Sequence, residues 1–517
     1  MHITFVNTPF LPRFSRESRS PAVTKSDTLY YPKWLALAAG YSLKNGKEIN
    51  LIDAPARELS FERTIDLIEL DSPDLIVLDT STPSINNDIR FAEMLKERNK
   101  NLKIAMVGRG ASVSYEHVLS NSNAIDIVCL KEYELTINEI ADYLSGGYFN
   151  NRENITGIAY KADDGLIIKN IDRPVLEDLD EIPFVTEIYK RFLNINDYFY
   201  GHSLHPLVVL DTSRGCPYHC SFCAYPQTFS GHRVRFRSVG NVADEFDFIK
   251  KEMPQVKSIM LEDDTFIINK KRTLDLANEL IYRGNKIPFD SNCRVDIGVD
   301  KDFLVKLKQA GARLFCVGFE SGSKDVISHM DKNNNKSKDS SYLETAKEFT
   351  EACQYAGIKI HGCFMFGNLN ETKNTLKETL NFALKLPLDT AQFYPIMIYP
   401  GTSAYEEAKS RNLINAKSFD DWLTIDGMHR SVVDLPDLSQ DELLAFADYA
   451  RKRFYLRPKY IWFKLLQSIL SFDELKRNIK GFKKLVSNLV FGSSHSKYSD
   501  LLDKKEKKRI ISIRVIK

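Results

Sequence analysis

The chain has 517 residues, a length that suggests two to four domains. Apolar residues make up 43% and charged residues 27%, a globular balance that excludes a disordered chain and needs no disulfide staples. The net charge of +2 excludes a uniformly basic or acidic surface, although the charge is unevenly placed along the chain.

Residues 1–147 alternate strand and helix signals. Strands are predicted at 2–7, 48–53, 74–79, 102–107 and 125–129, and helices at 32–44, 61–70, 85–98 and 135–144. The run ending in Asp79 (DLIVLD) is almost wholly apolar inside, as strands buried on both faces are. The pattern predicts a doubly wound α/β domain with its ligand site at the carboxyl ends of the strands. Residues 148–205 read as a connector: a hairpin around Asp163, Asp164 and Gly165, then the extended, proline-punctuated stretch DRPVLEDLDEIPF. Over 206–402 the alternation resumes, with strands predicted at 207–212, 256–261, 290–294, 313–319, 359–366 and 391–396. Six β/α units predict a parallel, partial barrel with its chemistry at the carboxyl ends of the strands.

Residues 403–517 are predicted helical, with helices at 438–455, 460–470 and 472–490 and a biased tail, KKEKKR, at 504–509. From 451 to 517 the chain has 19 Lys and Arg against 5 Asp and Glu, while the rest has 52 against 64. A basic end on an acidic body suits an anionic partner, or is a solvated helical face. RKRFYLRPKYIWFKLLQSIL mixes basic and aromatic residues, which suits peripheral contact with a membrane surface or a helical cap on the barrel. No apolar run spans a bilayer, and MHITFVNTPFLPRF has no signal-peptide pattern, so a cytoplasmic location is expected.

Three of the eight cysteines cluster in DTSRGCPYHCSFCAYP, immediately after an apolar strand. Cys129, Cys293, Cys316, Cys353 and Cys363 are scattered and are expected to be buried thiols. Cys216, Cys220 and Cys223 have the spacing C-x3-C-x2-C. Thiolates are the usual ligands of a [4Fe–4S] cubane, and three of them leave one iron without a protein ligand. S-adenosylmethionine (SAM) can fill that position with its amino nitrogen and carboxylate. One electron then breaks the carbon–sulfur bond and yields a 5′-deoxyadenosyl radical. Structural zinc with His219 or His232 as fourth ligand, and a closed electron-transfer cluster, are the alternatives. Zinc sites normally pair two ligand motifs, and no second pair is visible. Phe222 is placed to pack beside an adenine, and Gly215 permits close backbone approach in the loop.

C-x3-C-x-aromatic-C after a strand resembles the signature of the radical SAM superfamily, and the resemblance extends over 206–402. It implies SAM contacts from one motif per strand. LEDDTF offers Glu262, Asp263 and Asp264 to the SAM amino group. SNCRVD offers Ser291 and Arg294, and VGFESGS offers Glu320 to the ribose. GCFMFGNLNET and YPGT follow in order. Alone, a carboxylate pair at a helix start is more often a cap, and a glycine at a strand end more often a turn.

The first domain resembles the cobalamin-binding domain found in a large subgroup of that superfamily. LIDAPA, DTSTPS, VGRGA and LKEYE fall at predicted strand ends. Thr80, Ser81, Gly108 and Gly110 are the implied cobalamin contacts. The pattern D-x-H-x-x-G is missing: Asp53 is followed by APARE, so no lower axial histidine is expected from this loop. A flavodoxin-like domain that only scaffolds is the alternative.

YYPKWLALAAG, STPS, PFVTEIYKR, AYPQTFSGHR and FYLRPKYI are similar to hopanoid-biosynthesis-associated radical SAM proteins. The subgroup also includes anaerobic magnesium-protoporphyrin ester cyclases and cobalamin-dependent methylases. The resemblance implies hydrogen abstraction from an unactivated carbon, then methylation, cyclisation or rearrangement of a small-molecule or hopanoid-like lipid substrate. A flavodoxin or ferredoxin would supply electrons. A radical SAM enzyme without cobalamin and a non-catalytic iron–sulfur sensor are the competing readings. Nucleic acid is not an expected partner, because tRNA-modifying methylthiotransferases carry three more cysteines in this domain and only Cys129 precedes the cluster here.

Overall fold

A computed structural model describes residues 1–147, 151–298, 300–332 and 342–491. The tail KKEKKR lies outside the described residues.

The first sheet contains β1 (His2–Asn7), β2 (Glu48–Asp53), β3 (Leu75–Asp79), β4 (Lys103–Val107), β5 (Ile127–Cys129), β6 (Ile158–Lys161) and β7 (Ile167–Lys169). Their order is β2-β1-β3-β4-β5-β6-β7, parallel through β5. That is the flavodoxin-like winding, which reverses between β1 and β3 and leaves a crevice at their carboxyl ends. Every side chain of β3 is buried, so its apolar run is needed on both faces. Helices Arg109–Val113 and Tyr115–Asn121, between β4 and β5, were not visible in the sequence. They are too short to show a helical period. The hairpin of the connector is β6–β7, and it pairs antiparallel onto β5 through Val128 and Ala159. The connector therefore widens the first sheet before the chain turns to the second.

The second sheet contains β8 (Leu207–Leu210), β11 (Ser258–Leu261), β12 (Phe289–Cys293), β13 (Ala312–Glu320), β14 (Lys359–Phe366) and β15 (Thr390–Pro395). All are parallel, in the order β8-β11-β12-β13-β14-β15, and no pairing joins β8 to β15 among the described residues. This is the expected partial barrel of six β/α units. A two-stranded ribbon, β9 (Ser213–Arg214) with β10 (Arg235–Phe236), brackets the cysteine loop.

Helices Gln440–Tyr455, Pro458–Leu470 and Phe472–Phe491 follow. They close the amino-terminal end of the barrel. Tyr455 OH donates to the carbonyl of Ala391 at 2.7 Å, and Tyr460 OH to that of Asp389 at 2.8 Å. Glu474 and Arg477 reach the first residues of β13, β14 and β15. Arg477 and Lys464, two of the basic residues read in the sequence, are therefore turned inward in a barrel cap.

Candidate active site

The loop holding Cys216, Cys220 and Cys223 is shaped by contacts that need no metal. Gly215 has φ +91°, and a Cβ there would stand 2.2 Å from the carbonyl of Arg233. Only glycine lets the two limbs of the loop approach so closely. Gly215 N donates to Asp264 at 3.1 Å. The Gln227 amide donates to the carbonyls of Cys220, Ser221 and Cys223 at 3.1, 3.3 and 2.8 Å. Its oxygen accepts from Ser403 N at 2.9 Å. Gln227 lies in the AYPQT segment, but its part in holding the loop was not legible there. Phe222 is half-buried against the core. The three thiols are free. Burial pushes the Cys223 thiol up to about 12 and also raises Cys216. Thiolates at these positions need a bound cation's charge, which the iron of a cluster would supply. His219 and His232, the zinc ligands of the alternative reading, stack on one another at 4.1 Å.

The three acids after β11 divide their work. Asp263 is fully buried and accepts from Thr212 N and Oγ1, each at 2.6 Å, and from Ser213 N and Oγ at 3.2 and 2.8 Å. Asp264 accepts from Gly215 N, from Ser230 Oγ at 3.2 Å and from Arg19 at 3.0 Å. These two acids tie down the base of the cysteine loop. Glu262 accepts from Asn292 at 3.2 Å and keeps its Oε1 without a hydrogen-bond partner. Burial raises the pKa of Glu262.

On β12 the alternation of side chains decides who faces the interior. Asn292 reaches Glu262, whereas Ser291 is fully buried on the opposite face with its Oγ 3.6 Å from Cys293 Sγ. Ser291 was expected to contact SAM. The structure turns it towards the outer layer, and Asn292 takes the interior place. Arg294 lies beside the cysteine loop. It holds Asp296 through two hydrogen bonds of 2.9 and 2.7 Å, donates to Cys220 Sγ at 3.3 Å and lies 3.7 Å from the Tyr218 ring centroid.

Glu320 ends β13 with φ +64°, a left-handed backbone that costs a non-glycine residue about 1 kcal/mol. A buried ion pair with Lys332 at 2.8 Å holds its carboxylate. Gly318 makes room for it, since a Cβ there would stand 2.2 Å from Glu320 Oε1. Lys332 lies beyond β13 and carried no sequence signal.

A first cleft, about 490 Å³, opens at the carboxyl ends of β3 and β4. It is lined there by Asp79, Thr80, Ser81, Gly108 and Gly110, and on the other side by Tyr225, Thr228 and Phe229. Helix Ala224–Thr228, which begins just after Cys223, therefore contributes to this cleft. The expected contacts divide here. Thr80 Oγ1 donates to Asp88 at 2.6 Å, and Ser81 Oγ shares a hydrogen with Ser84 Oγ at 2.8 Å, so both hydroxyls are engaged within the protein. A Cβ on Gly108 would meet the Thr80 carbonyl at 2.3 Å, and one on Gly110 would meet Ser81 C at 2.5 Å. These glycines let two strand-end loops close on each other, and both also line the cleft. Polar atoms suited to a ligand lie elsewhere. Asp79 Oδ2, Trp34 Nε1 and Tyr133 OH line the cleft, buried and without hydrogen-bond partners. Such atoms are costly when left unmade, and a cofactor rich in amide groups, such as cobalamin, fits them. Burial, with the nearby Asp88 charge, raises Asp79 to about 7.

A second cleft, about 340 Å³, is lined by Arg19, Tyr30, Lys33, Tyr200 and Glu262. Glu17 and Tyr225 border both clefts. Tyr225 OH donates to the Glu17 carbonyl at 2.9 Å, and the guanidiniums of Arg109 and Arg19 lie 4.2 and 5.1 Å from its ring centroid. Glu17 caps helix Lys33–Lys44 by accepting from Trp34 N at 2.8 Å and Leu35 N at 3.2 Å. Glu17 and Arg19 belong to no motif singled out in the sequence, and Tyr225 stands in the AYPQT segment without a role assigned to it.

Residues 210–383 match the Radical SAM superfamily, and residues 19–141 match the B12 binding domain. An uncharacterized methyltransferase of Pyrococcus horikoshii is 30% identical over 414 residues, which are 80% of this chain and 85% of that protein. The anaerobic magnesium-protoporphyrin IX monomethyl ester cyclase of Rubrivivax gelatinosus is 27% identical over 73% of this chain, and this chain covers 66% of it. Among solved structures, the cobalamin-dependent S-adenosylmethionine radical enzyme OxsB, with aqua-cobalamin and S-adenosylmethionine bound, shares the fold. Its TM-score is 0.66 at 18% identity, over 99% of this chain and 75% of that one. The radical S-adenosylmethionine methyltransferase TsrM of Kitasatospora setae has a TM-score of 0.64 at 17% identity, over 80% of this chain and 77% of its own.

Proposed function

The chain belongs to the radical SAM superfamily, in the branch that joins the barrel to a B12-binding domain, and from that premise we propose where its reaction takes place. It is a radical SAM enzyme whose cofactors are a [4Fe–4S] cluster, SAM and cobalamin. When bound, these cofactors supply a 5′-deoxyadenosyl radical that takes hydrogen from an unactivated carbon, and a corrin beside which that carbon is methylated, cyclised or rearranged. Cys216, Cys220 and Cys223 hold the cluster, and Arg294 sets the charge beside it. Glu262 and Glu320 face SAM. Asp79, Trp34 and Tyr133 offer polar partners to the corrin's amides.

The observation that carries this reading is the common wall of the two clefts. Glu17 and Tyr225 border both, so a carbon held in the second cleft would have SAM on its Glu262 side and the corrin on its Tyr225 side. Anaerobic reconstitution with hydroxocobalamin tests it. Corrin absorption that survives desalting is expected, and Tyr133→Phe with Trp34→Phe should weaken retention while leaving the iron content unchanged. A corrin that washes off the wild type returns the chain to a cobalamin-free radical enzyme.

The substrate in this reading is a small molecule with an apolar body, and a flavodoxin or ferredoxin delivers the electron. A hopanoid-like lipid is favoured by the last two helices. Trp462 is 65%, Ile469 80% and Phe472 67% exposed, beside Lys464 and Lys476. Basic and aromatic residues together suit an anionic membrane surface. No helix among the described residues is long and apolar enough to cross a membrane, so the contact is peripheral. Binding to phosphatidylglycerol vesicles that is lost in Trp462→Ser/Ile469→Ser is expected; equal sedimentation of both proteins would remove the membrane from the proposal.

A further inference from the structure

Inside the barrel, on β13 and β14 rather than in the cysteine loop, three metal-ligating side chains converge. Cys316 lies on β13, four residues before Glu320, and His361 and Cys363 lie on β14. The parallel register sets Cys316 opposite His361 and Gly318 opposite Cys363. A glycine opposite Cys363 leaves it room to lean towards Cys316. One ligand atom from each residue lies within 4.8 Å of the others, and the two Sγ atoms are 3.7 Å apart. All three residues are partly accessible, whereas Phe315, Val317 and Ile360 between them are buried in the outer layer. The donors therefore face the barrel interior.

The spacing favours a metal over a disulfide. Two sulfurs on a tetrahedral zinc, each at about 2.3 Å, stand about 3.8 Å apart. A disulfide brings them to about 2.05 Å. The imidazole is prepared for a metal as well. His361 Nδ1 is 2.7 Å from Thr390 Oγ1, the kind of outer partner that fixes a ligating ring's tautomer, and His202 stacks on the ring at 4.8 Å. In the sequence these cysteines read as separate buried thiols, because 47 residues part them and only the β13–β14 pairing joins them.

We infer that Cys316, His361 and Cys363 bind one zinc ion, with the fourth position open to the barrel interior for a thiolate, hydroxyl or carboxylate of the substrate. Three protein ligands and an open position are the pattern of reactive rather than structural zinc. The zinc itself is independent of the proposed function; only the use of its fourth position rests on that reading.

Metal counting on the full chain, purified and reconstituted without oxygen, tests the site. Wild type should hold about one zinc beside its iron. Cys216→Ala/Cys220→Ala/Cys223→Ala should lose iron and keep zinc. Cys316→Ser/Cys363→Ser should lose zinc and keep iron. Zinc that leaves with the first triad, or stays without the second, overturns the inference. Iron that survives loss of the first triad sinks the cluster assignment instead, so the two failures are distinguishable. Cobalt(II) added to zinc-depleted wild type, with its cluster in place, gives a readout that needs no variant to fold. Thiolate-to-cobalt charge-transfer absorption that zinc then displaces is expected, and no such band would refute the site.

Discussion

The two ends of the barrel are both rich in charge and treat it in opposite ways. At the amino-terminal end acids and bases alternate: Asp290 with Arg313 at 3.0 Å, Arg313 with Glu474 at 2.9 Å, Glu474 with Arg477 at 2.7 Å, and Arg477 with Asp389 at 2.9 Å. Lys464 adds a bond to Asp389 at 2.9 Å, and Lys359 contacts Glu474. Burial alone would raise Asp389, yet Arg477, Lys464 and Lys359 hold it well below its ordinary range. Glu474 is lowered to about 2 against the same opposition. At the carboxyl-terminal end Glu262 is raised and keeps an oxygen without a partner, and Glu320 holds a left-handed backbone. Charges at the closed end are spent on one another. At the open end Glu320 also has a partner, Lys332, but Glu262 keeps an oxygen free for a ligand, and such a perturbed acid points to function.

The sharpest way to separate the ends is to remove one group from each. Cys220→Ala should lose the intact cluster and reduce 5′-deoxyadenosine formation to background, with the circular dichroism spectrum unchanged. Normal deoxyadenosine from that variant would break the cluster assignment. Arg477→Met should do the reverse. It leaves Asp389 and Glu474 buried and short of a base, a loss of about 3–5 kcal/mol in systems of this kind. Urea unfolding would read it, while SAM affinity at the other end stays as in wild type. A loss within 0.5 kcal/mol or so, as at an ordinary surface site, would mean that the closed end is not one network.

A smaller effect is expected at the strained acid. Glu320→Ala should weaken SAM binding by about 1.5–3 kcal/mol, the worth of a hydrogen bond to a charged group, with iron retained. Unchanged affinity would leave Glu320 as no more than the partner of Lys332. That pairing shows what a sequence can and cannot disclose. Strands buried on both faces, such as Leu75–Asp79, announce themselves by an unbroken apolar run, and the cysteine spacing announces an iron site. Glu320 was legible because its motif follows a strand. Lys332, Gln227, Glu17 and Tyr225 were not, because each acts across the fold: Lys332 on Glu320 twelve residues before it, and Tyr225 on a carbonyl 208 residues before it. Ser291 failed for a local reason. A strand shows alternate faces, and a motif copied by position does not say which face is in. For Gly108 and Gly110 the sequence signals closeness without naming what comes close: each abuts the loop after β3, and both line the first cleft.

One further effect reads the open end most directly. Asp79 titrates near 7 when folded, against an ordinary aspartate near 3.8. Between those values the folded chain binds the proton more tightly than the unfolded chain. Stability from this group is therefore present below about 4 and falls as pH rises towards 7, by at most about 1.4 kcal/mol per pH unit. Asp53, raised to about 6, and Glu371, raised to about 7, slope the same way, so the wild-type profile alone does not isolate Asp79. The difference between wild type and Asp79→Asn reports Asp79 together with Glu17, whose pKa burial and the Asp79 charge raise. The variant should match wild type near pH 4 and exceed it above 7. Adding hydroxocobalamin sharpens the test. A donor that reaches the unpartnered oxygen of Asp79 favours its charged form, so the bound corrin should flatten the wild-type slope and leave the Asp79→Asn slope unchanged. If the corrin binds yet both slopes stay as they were, Asp79 does not face the cofactor, and the first cleft loses the polar contact that most directly ties it to cobalamin.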